Sequence, residues 1–281
     1  MSKKYWGLIL GLILLYGTFS YYYMVTFDNH DSNWNYHELQ KISKNESSFS
    51  FAVYGDSANS DGRFNHLIKS LNSKNVLFSV DNGDLTTSGT PMHFGYFLID
   101  AKQLKAPLLT NIGNHDLSGS GSESNYINVF GNPYYSFSEK NSYFIVLDDA
   151  NSNVNDTQMN WLKNELKKSQ NYKYRFIFMH IPLYDPRYNF KGEGLSLGNS
   201  TTAKTLNNLF DEYNVTMLFT SHIHGYFQGV WGKTSFITTG GAGSPLSKPH
   251  AGVNNTENYF YHYILVNVTD NGVNYEVVRY N

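Results

Sequence analysis

Five short polar motifs carry the chemistry of this 281-residue chain: Gly55-Asp56, Gly83-Asp84, Gly113-Asn114-His115-Asp116, His180, and His222-Ile223-His224. Each directly follows an apolar run. Carboxylate, amide and imidazole donors gathered from several strand ends can build a two-metal site, and no other grouping in the sequence offers comparable chemistry. In extended backbone His222 and His224 can reach two neighbouring ions, and a carboxylate such as Asp84 can bridge them. The chain has no cysteine, which excludes disulfides, thiolate zinc sites and catalytic thiols.

The elements that must hold these motifs are legible as alternation. Apolar, β-branched and aromatic runs predict strands over 49–54, 76–80, 107–110, 143–147, 174–179 and 215–220, with amphipathic helices over 63–72, 91–105, 156–168 and 202–213. Thr90 before Pro91 marks one helix start, and Asp156 is read as the cap of the helix whose stripe is Trp161, Leu162 and Leu166. From 226 the pattern becomes successive strands, closing in a hairpin at Asp270-Asn271-Gly272. In open α/β sheets, ligands collect beyond the carboxyl ends of the strands, where all five motifs stand. The expected architecture is α/β, with two mixed β-sheets packed as a sandwich flanked by helices and one N-terminal transmembrane helix before it.

Lys3 and Lys4 precede an uncharged stretch over 5–27, long enough to span a bilayer. Tyr21, Tyr22 and Tyr23 suit a membrane interface, and the lysines before it against Asp28 and Asp31 after it place residue 28 onward outside. A cleaved signal peptide is the competing reading, with a poor small-x-small site at Thr18-Phe19-Ser20. The expected division is a cytoplasmic 1–4, a signal anchor (or signal peptide) over 5–27, a polar tether over 28–48 and one domain over 49–281. This makes a single-pass cell-membrane protein with its domain outside the cytoplasm, secreted if cleaved. Sequons at Asn45, Asn155, Asn199, Asn214, Asn254 and Asn267 suit an exported surface, although an Asn-rich chain produces several by chance. With Lys+Arg 21 against Asp+Glu 23, and no long basic run, nucleic acid is not an expected partner.

The motifs resemble those of the calcineurin-like metallophosphoesterase superfamily, whose pattern runs Asp-x-His, Gly-Asp, Gly-Asn-His-Asp/Glu, a lone His and Gly-His-x-His. The resemblance covers residues 50–245 in the family's order, and Gly113-Asn114-His115-Asp116 and Ser221-His222-Ile223-His224-Gly225 are its specific parts. It implies that Asp56 and His224 bind a first metal, that Asp84 bridges, and that Asn114, His180 and His222 bind a second. The ions would be Mn, Fe or Zn. It implies hydrolysis of a phosphomonoester or phosphodiester, of a small molecule or head group, by a metal-bridging hydroxide. His115 would contact the phosphate or protonate the leaving oxygen, with Asp116 orienting it. Asn114, His115, Tyr184 and Arg187 are the candidates for substrate contact.

The chain departs from that pattern at Ala58, where the first motif has histidine, and at Thr87, where purple acid phosphatases supply tyrosine. The first metal is left with Asp56, Asp84 and His224, plus water, Asn59 or Ser57. The expectation is a weaker first site, and the alternative reading is a catalytically weakened metal- or phosphate-binding protein of the same fold. A proton donor at His115 argues against that alternative. Ser221 replaces a glycine, which is tolerable if its φ stays negative. Asp185, and Gly240 to Gly243 with His250, are expected near the rim. Tyr134 and Tyr135 are read as entrance or packing residues, Arg187 alternatively as a surface ion pair, and His30, His37, His66, His93 and His262 as surface or core.

Overall fold

Apolar side chains along the first strand, β1 (Phe49–Tyr54), point in turn to two different cores, so the strand is buried on both faces. That double burial is what a layered α/β architecture requires of its central strands. This is a computed structural model, and it describes residues 5–7, 9–17, 32–42, 48–58, 61–187, 195–247 and 256–281.

The first sheet also contains β2 (Phe78–Asp81), β3 (Leu108–Thr110), β10 (His262–Thr269) and β11 (Gly272–Arg279), in the order β11-β10-β1-β2-β3. β1, β2 and β3 run parallel, and β10 and β11 close it antiparallel. The second sheet has the order β4-β5-β6-β7-β9-β8, built from β4 (Tyr135–Glu139), β5 (Ser142–Val146), β6 (Tyr174–Phe178), β7 (Met217–Thr220), β8 (Tyr226–Trp231) and β9 (Thr234–Thr239). Its four inner strands are parallel and its two edges antiparallel. The sheets pack face to face through an aromatic core, where the Phe51 ring lies 5.2 to 6.4 Å from those of Phe78, Phe144, Phe176, Phe178 and Phe219. Such ring pairs add to plain area burial.

Helices α2 (Arg63–Leu71), α3 (Pro91–Ala101) and α4 (Glu123–Phe130) cover the first sheet, and α5 (Asp156–Ser169) and α6 (Thr201–Glu212) the second. The two mixed sheets flanked by helices match the expected architecture. Thr90 caps α3 by accepting from His93 N at 3.2 Å, with Pro91 in the first turn. The cap of α5 is Asn155, which accepts from Gln158 N at 2.9 Å; Asp156, read as the cap, is the first helical residue.

One N-terminal expectation changes. Within the stretch read as a tether, Trp34–Lys41 forms a docked helix, α1. Its side chains replace a missing neighbour strand along the open edge of β3. Trp34 Nε1 donates to Leu108 O at 2.8 Å, Glu38 Oε2 accepts from Leu108 N at 3.2 Å, and Asn35 binds both Thr110 N at 2.8 Å and Thr110 O at 3.3 Å. An open sheet edge must be paired or covered, and α1 covers this one. Beside the buried Trp34, Asn35 and Glu38 do the covering, so the buried face is mixed and no apolar periodicity announces the helix. Residues 5–7 and 9–17 are helical, but among the described residues no helix is long and apolar enough to cross a membrane. The rest of the expected span, with Tyr21, Tyr22 and Tyr23, lies outside the described residues, as do His30, Asn45, Asn59, His250 and Asn254.

Candidate metal centre

Five loops leave the carboxyl ends of β1, β2, β3, β6 and β7 on one side of the sandwich, and each carries one of the five motifs. Asp56, Asp84 and His222 are all held at positive φ, 61°, 57° and 66°, a region that costs a non-glycine residue about 1–3 kcal/mol and is tolerated where surrounding bonds enforce it. Here they do. Asp56 N donates to Gly83 O at 2.9 Å, Ala58 N to Asp84 O at 3.0 Å, and His222 N to Asp56 Oδ2 at 2.9 Å. Gly83, at φ 95°, supplies the turn before Asp84, and a Cβ there would lie 2.6 Å from His180 Nδ1. Ser221 is absent from the positive-φ residues, so it is tolerated where the related motif has glycine.

The donor atoms form two triads that share Asp84: Asp84, His180 and His222, and Asp56, Asp84 and His224. Within each triad the donors lie within 4.8 Å of one another. In the first, His180 Nε2 lies 3.3 Å from Asp84 Oδ1, 3.1 Å from Asn114 Oδ1 and 3.2 Å from His222 Nδ1. In the second, His224 Nε2 lies 3.2 Å from Asp56 Oδ1. The far nitrogens of two rings are anchored: His180 Nδ1 lies 3.0 Å from Asn82 O, and His224 Nδ1 lies 2.7 Å from Pro245 O. A ring nitrogen donating to a carbonyl aims the other nitrogen into the cluster, where an ion would take the place of its proton.

The electrostatics are those of a site built around positive charge. Asp84 is held down at about 2: burial opposes its ionisation, but His180 outweighs burial through charge and hydrogen bonding. His180 is pushed up to about 10 despite its burial, chiefly by Asp84, and His224 to about 9 despite its burial, chiefly by Asp56. Burial and then the charge of His180 press His222 down to about 4. Mixed imidazole, carboxylate and amide donors at these spacings fit a pair of divalent or trivalent ions.

Other expected residues are placed differently. The hydrogen bonds of the Asp116 carboxylate run to the backbone and to Thr86. The carboxylate is fully buried and accepts from Gly113 N, Leu85 N, Thr86 N and Thr86 Oγ1 at 2.9 to 3.2 Å. It therefore clamps the β2 loop to the β3 loop. Burial, then the charge of Asp84, push it up to about 7. Arg187 is spent on a fork to Asp185, with Nε to Oδ1 at 2.8 Å and Nη2 to Oδ2 at 2.5 Å, and Tyr184 packs its ring on Trp231. Gly240 to Gly243 are buried behind the Asp56 loop rather than at a rim, with Ala242 N donating to Gly55 O and Ser244 N to Asp56 O. The Tyr134 ring packs at a tilt against Trp161, and Tyr135 donates to Thr110 O, so both pack. His262 is a satisfied core histidine, and His37 and His66 are exposed. His115 is open to solvent, its side chain 53% exposed, with Nε2 4.0 Å from Asp84 Oδ2.

Several structural contributors escaped the sequence reading. Asn82 donates to Met179 O at 2.7 Å and Phe219 O at 3.2 Å, tying the first sheet to the second, and Asn111 donates to Asn82 Oδ1. Asp149 binds the backbone at His180. A carboxylate just past a strand end was the available signal, the same that marked Asp56 and Asp84.

The calcineurin-like phosphoesterase sequence profile matches residues 49–226. The chain belongs to the calcineurin-like phosphoesterase family. No curated protein sequence matches it significantly. Among solved structures, this phosphoesterase is similar to GAP50, the anchor in the inner membrane complex of Plasmodium, at TM-score 0.66 and 16% identity over 83% of this chain and 85% of that one. It is also similar to purple acid phosphatase PPD1 from yellow lupin seeds, at TM-score 0.67 and 14% identity, spanning 84% of this chain and 54% of the plant protein. A dimetal phosphatase from Danio rerio gives TM-score 0.64 and 13% identity over 83% of this chain and 98% of the fish protein. At these identities the likeness is one of fold.

Proposed function

We propose that this phosphoesterase is a dinuclear-metal hydrolase of phosphomonoesters or phosphodiesters. The observation that carries the reading is the pair of donor triads sharing Asp84. Asp56, Asp84 and His224 hold one ion, and Asp84, Asn114, His180 and His222 the other. Bound there, ions of the Mn, Fe or Zn kind would supply positive charge for the phosphoryl oxygens and lower the pKa of a water. The chain's own groups do the rest. Asn82 and Pro245 carbonyls keep His180 and His224 in the ligating tautomer. Asp116 ties the backbone at Leu85, next to Asp84, to Gly113. His115, exposed at the lip, reaches the ester and gives its proton to the leaving oxygen. With Ala58 offering no donor, the Asp56 half has three protein ligands against four, so its ion is the more exchangeable.

A second reading is favoured by that same Ala58: a metal- or phosphate-binding protein of the same fold with weak turnover. We also propose that the N-terminal segment attaches the chain to a membrane with the domain outside the cytoplasm. This rests on the apolar stretch from residue 5 and on the exposure of Leu12, Ile13, Leu14 and Leu15. One preparation tests these readings. The full chain should stay with membranes after a carbonate wash, contain metal, and hydrolyse mono- or bis-aryl phosphates with Mn or Zn. His115→Ala should lower kcat by about 10²–10⁴-fold with metal content unchanged. Bound metal with no turnover, and no effect of His115→Ala, would favour the binding protein; release by the wash would remove the membrane attachment.

A further inference from the structure

Asp149 is a buried acid beside the site that the chemistry above leaves unused. It stands three residues beyond β5, fully buried. Its two oxygens take two successive backbone donors, His180 N at Oδ1, 2.8 Å, and Ile181 N at Oδ2, 2.9 Å. The main-chain ladder between β5 and β6 ends with Leu147 N donating to Phe178 O. Beyond that point the Asp149 carboxylate continues it, in place of a strand. On the other side, Ser221 N donates to His180 O at 2.9 Å. The main chain at His180 is thus gripped from both flanks while the ring is held at Nδ1 by Asn82 O.

We infer that Asp149 is a positioning residue for the metal centre. Its carboxylate fixes the backbone of His180 so that Nε2 projects between Asp84 Oδ1 and Asn114 Oδ1, and it thereby sets how tightly that half of the site holds its ion. A charged acceptor binding two adjacent N–H groups gives stronger and more directional restraint than a neutral carbonyl. Partners of metal ligands tune affinity in this way although they never touch the ion. The inference rests on the dinuclear reading above.

The test is Co(II) titration of the metal-free full chain, read by calorimetry and by the visible Co(II) absorption, in wild type, Asp149→Asn, His180→Ala and the double variant. Asn keeps the size of Asp but turns an amide N–H₂ toward one of the two backbone donors. Asp149→Asn should weaken the tighter Co(II) equivalent by about 10–100-fold and alter its absorption band, with kcat falling more than KM rises. Added to His180→Ala it should change Co(II) affinity no further, because the residue through which it acts is gone. Asp148→Asn is the neighbouring control: Asp148 Oδ1 accepts only from Ala150 N among the bonds near it, at 3.1 Å, and the change should leave Co(II) binding as in wild type. If Asp149→Asn does not fold, Asp149→Ser serves in its place. Wild-type affinity and spectrum in the Asp149 variant, or an equal loss in the His180→Ala background, would overturn the inference while leaving the dinuclear reading standing. A wild-type protein that takes up no Co(II) would overturn both.

Discussion

Gly113→Ala should damage the site more than the fold. A Cβ at that position would lie 2.2 Å from Asp84 N, 2.3 Å from Asp84 Oδ1 and 3.0 Å from Asp84 Cα. Comfortable contact between non-bonded carbons needs about 3.5–4.0 Å, so one loop must retreat by about 1 Å or more. Neither is free to do so. Gly113 N is held by Asp116 Oδ2 at 2.9 Å, and Asp84 Oδ1 by His115 N at 2.8 Å. Overpacking of this kind costs about 1–3 kcal/mol, which lowers Tm by roughly 3–10 °C in a domain of this size. The rate should suffer more. Asp84 belongs to both donor triads, and a displacement of about 1 Å at a reacting centre costs about 10²-fold. The assay is kcat/KM on an aryl phosphate with saturating Mn, beside a thermal melt and a metal count. Two glycines separate the causes. Gly272→Ala meets nothing within 4 Å and should be silent, whereas Gly62→Ala meets no atoms but sits at φ 82° and should cost stability alone. Gly113→Ala with wild-type kcat/KM and full metal content would refute the packing argument.

Two further outcomes follow from the fold. Burial presses His262 from 6.5 down to about 4, so between those pH values the unfolded chain takes up a proton that the folded chain refuses. That stability, up to about 3 kcal/mol, is present above pH 6.5 and is lost as pH falls toward 4; His262→Gln should flatten this part of a urea stability curve, and an unchanged curve would contradict it. Asn35→Ala leaves Thr110 N without its acceptor, while Thr110 O keeps Tyr126 and Tyr135, and should cost roughly 1–3 kcal/mol in denaturant unfolding; no loss would mean that α1 does not cap β3.

The legible parts of this protein are those whose signal is local. Alternating apolar runs marked the strands that carry Asp56, Asp84, Asn114, His180 and His222, because period and punctuation survive in the sequence whatever the tertiary arrangement. α1 was not legible: its buried face is Trp34 with the polar Asn35 and Glu38, and only the open edge of β3, distant in sequence, makes polar residues worth burying there. Asp116 shows the same limit. Its type suits catalysis, yet its side chain is claimed by donors from the β2 loop that only the folded loops bring near.

By itself the sequence determined which donor types exist, their order along the chain, and that they stand at strand ends. Tertiary structure alone decided that Asp84 is shared between two triads, that Asp56, Asp84 and His222 are held at positive φ, and that Asn82, Pro245 and Asp149 aim the imidazoles. The physical reason is range. Strand and helix patterns are written in neighbours a few residues apart, whereas a metal centre is written in oxygens and nitrogens from loops as much as 168 residues apart, Asp56 to His224, whose spacing exists only once the two sheets have packed.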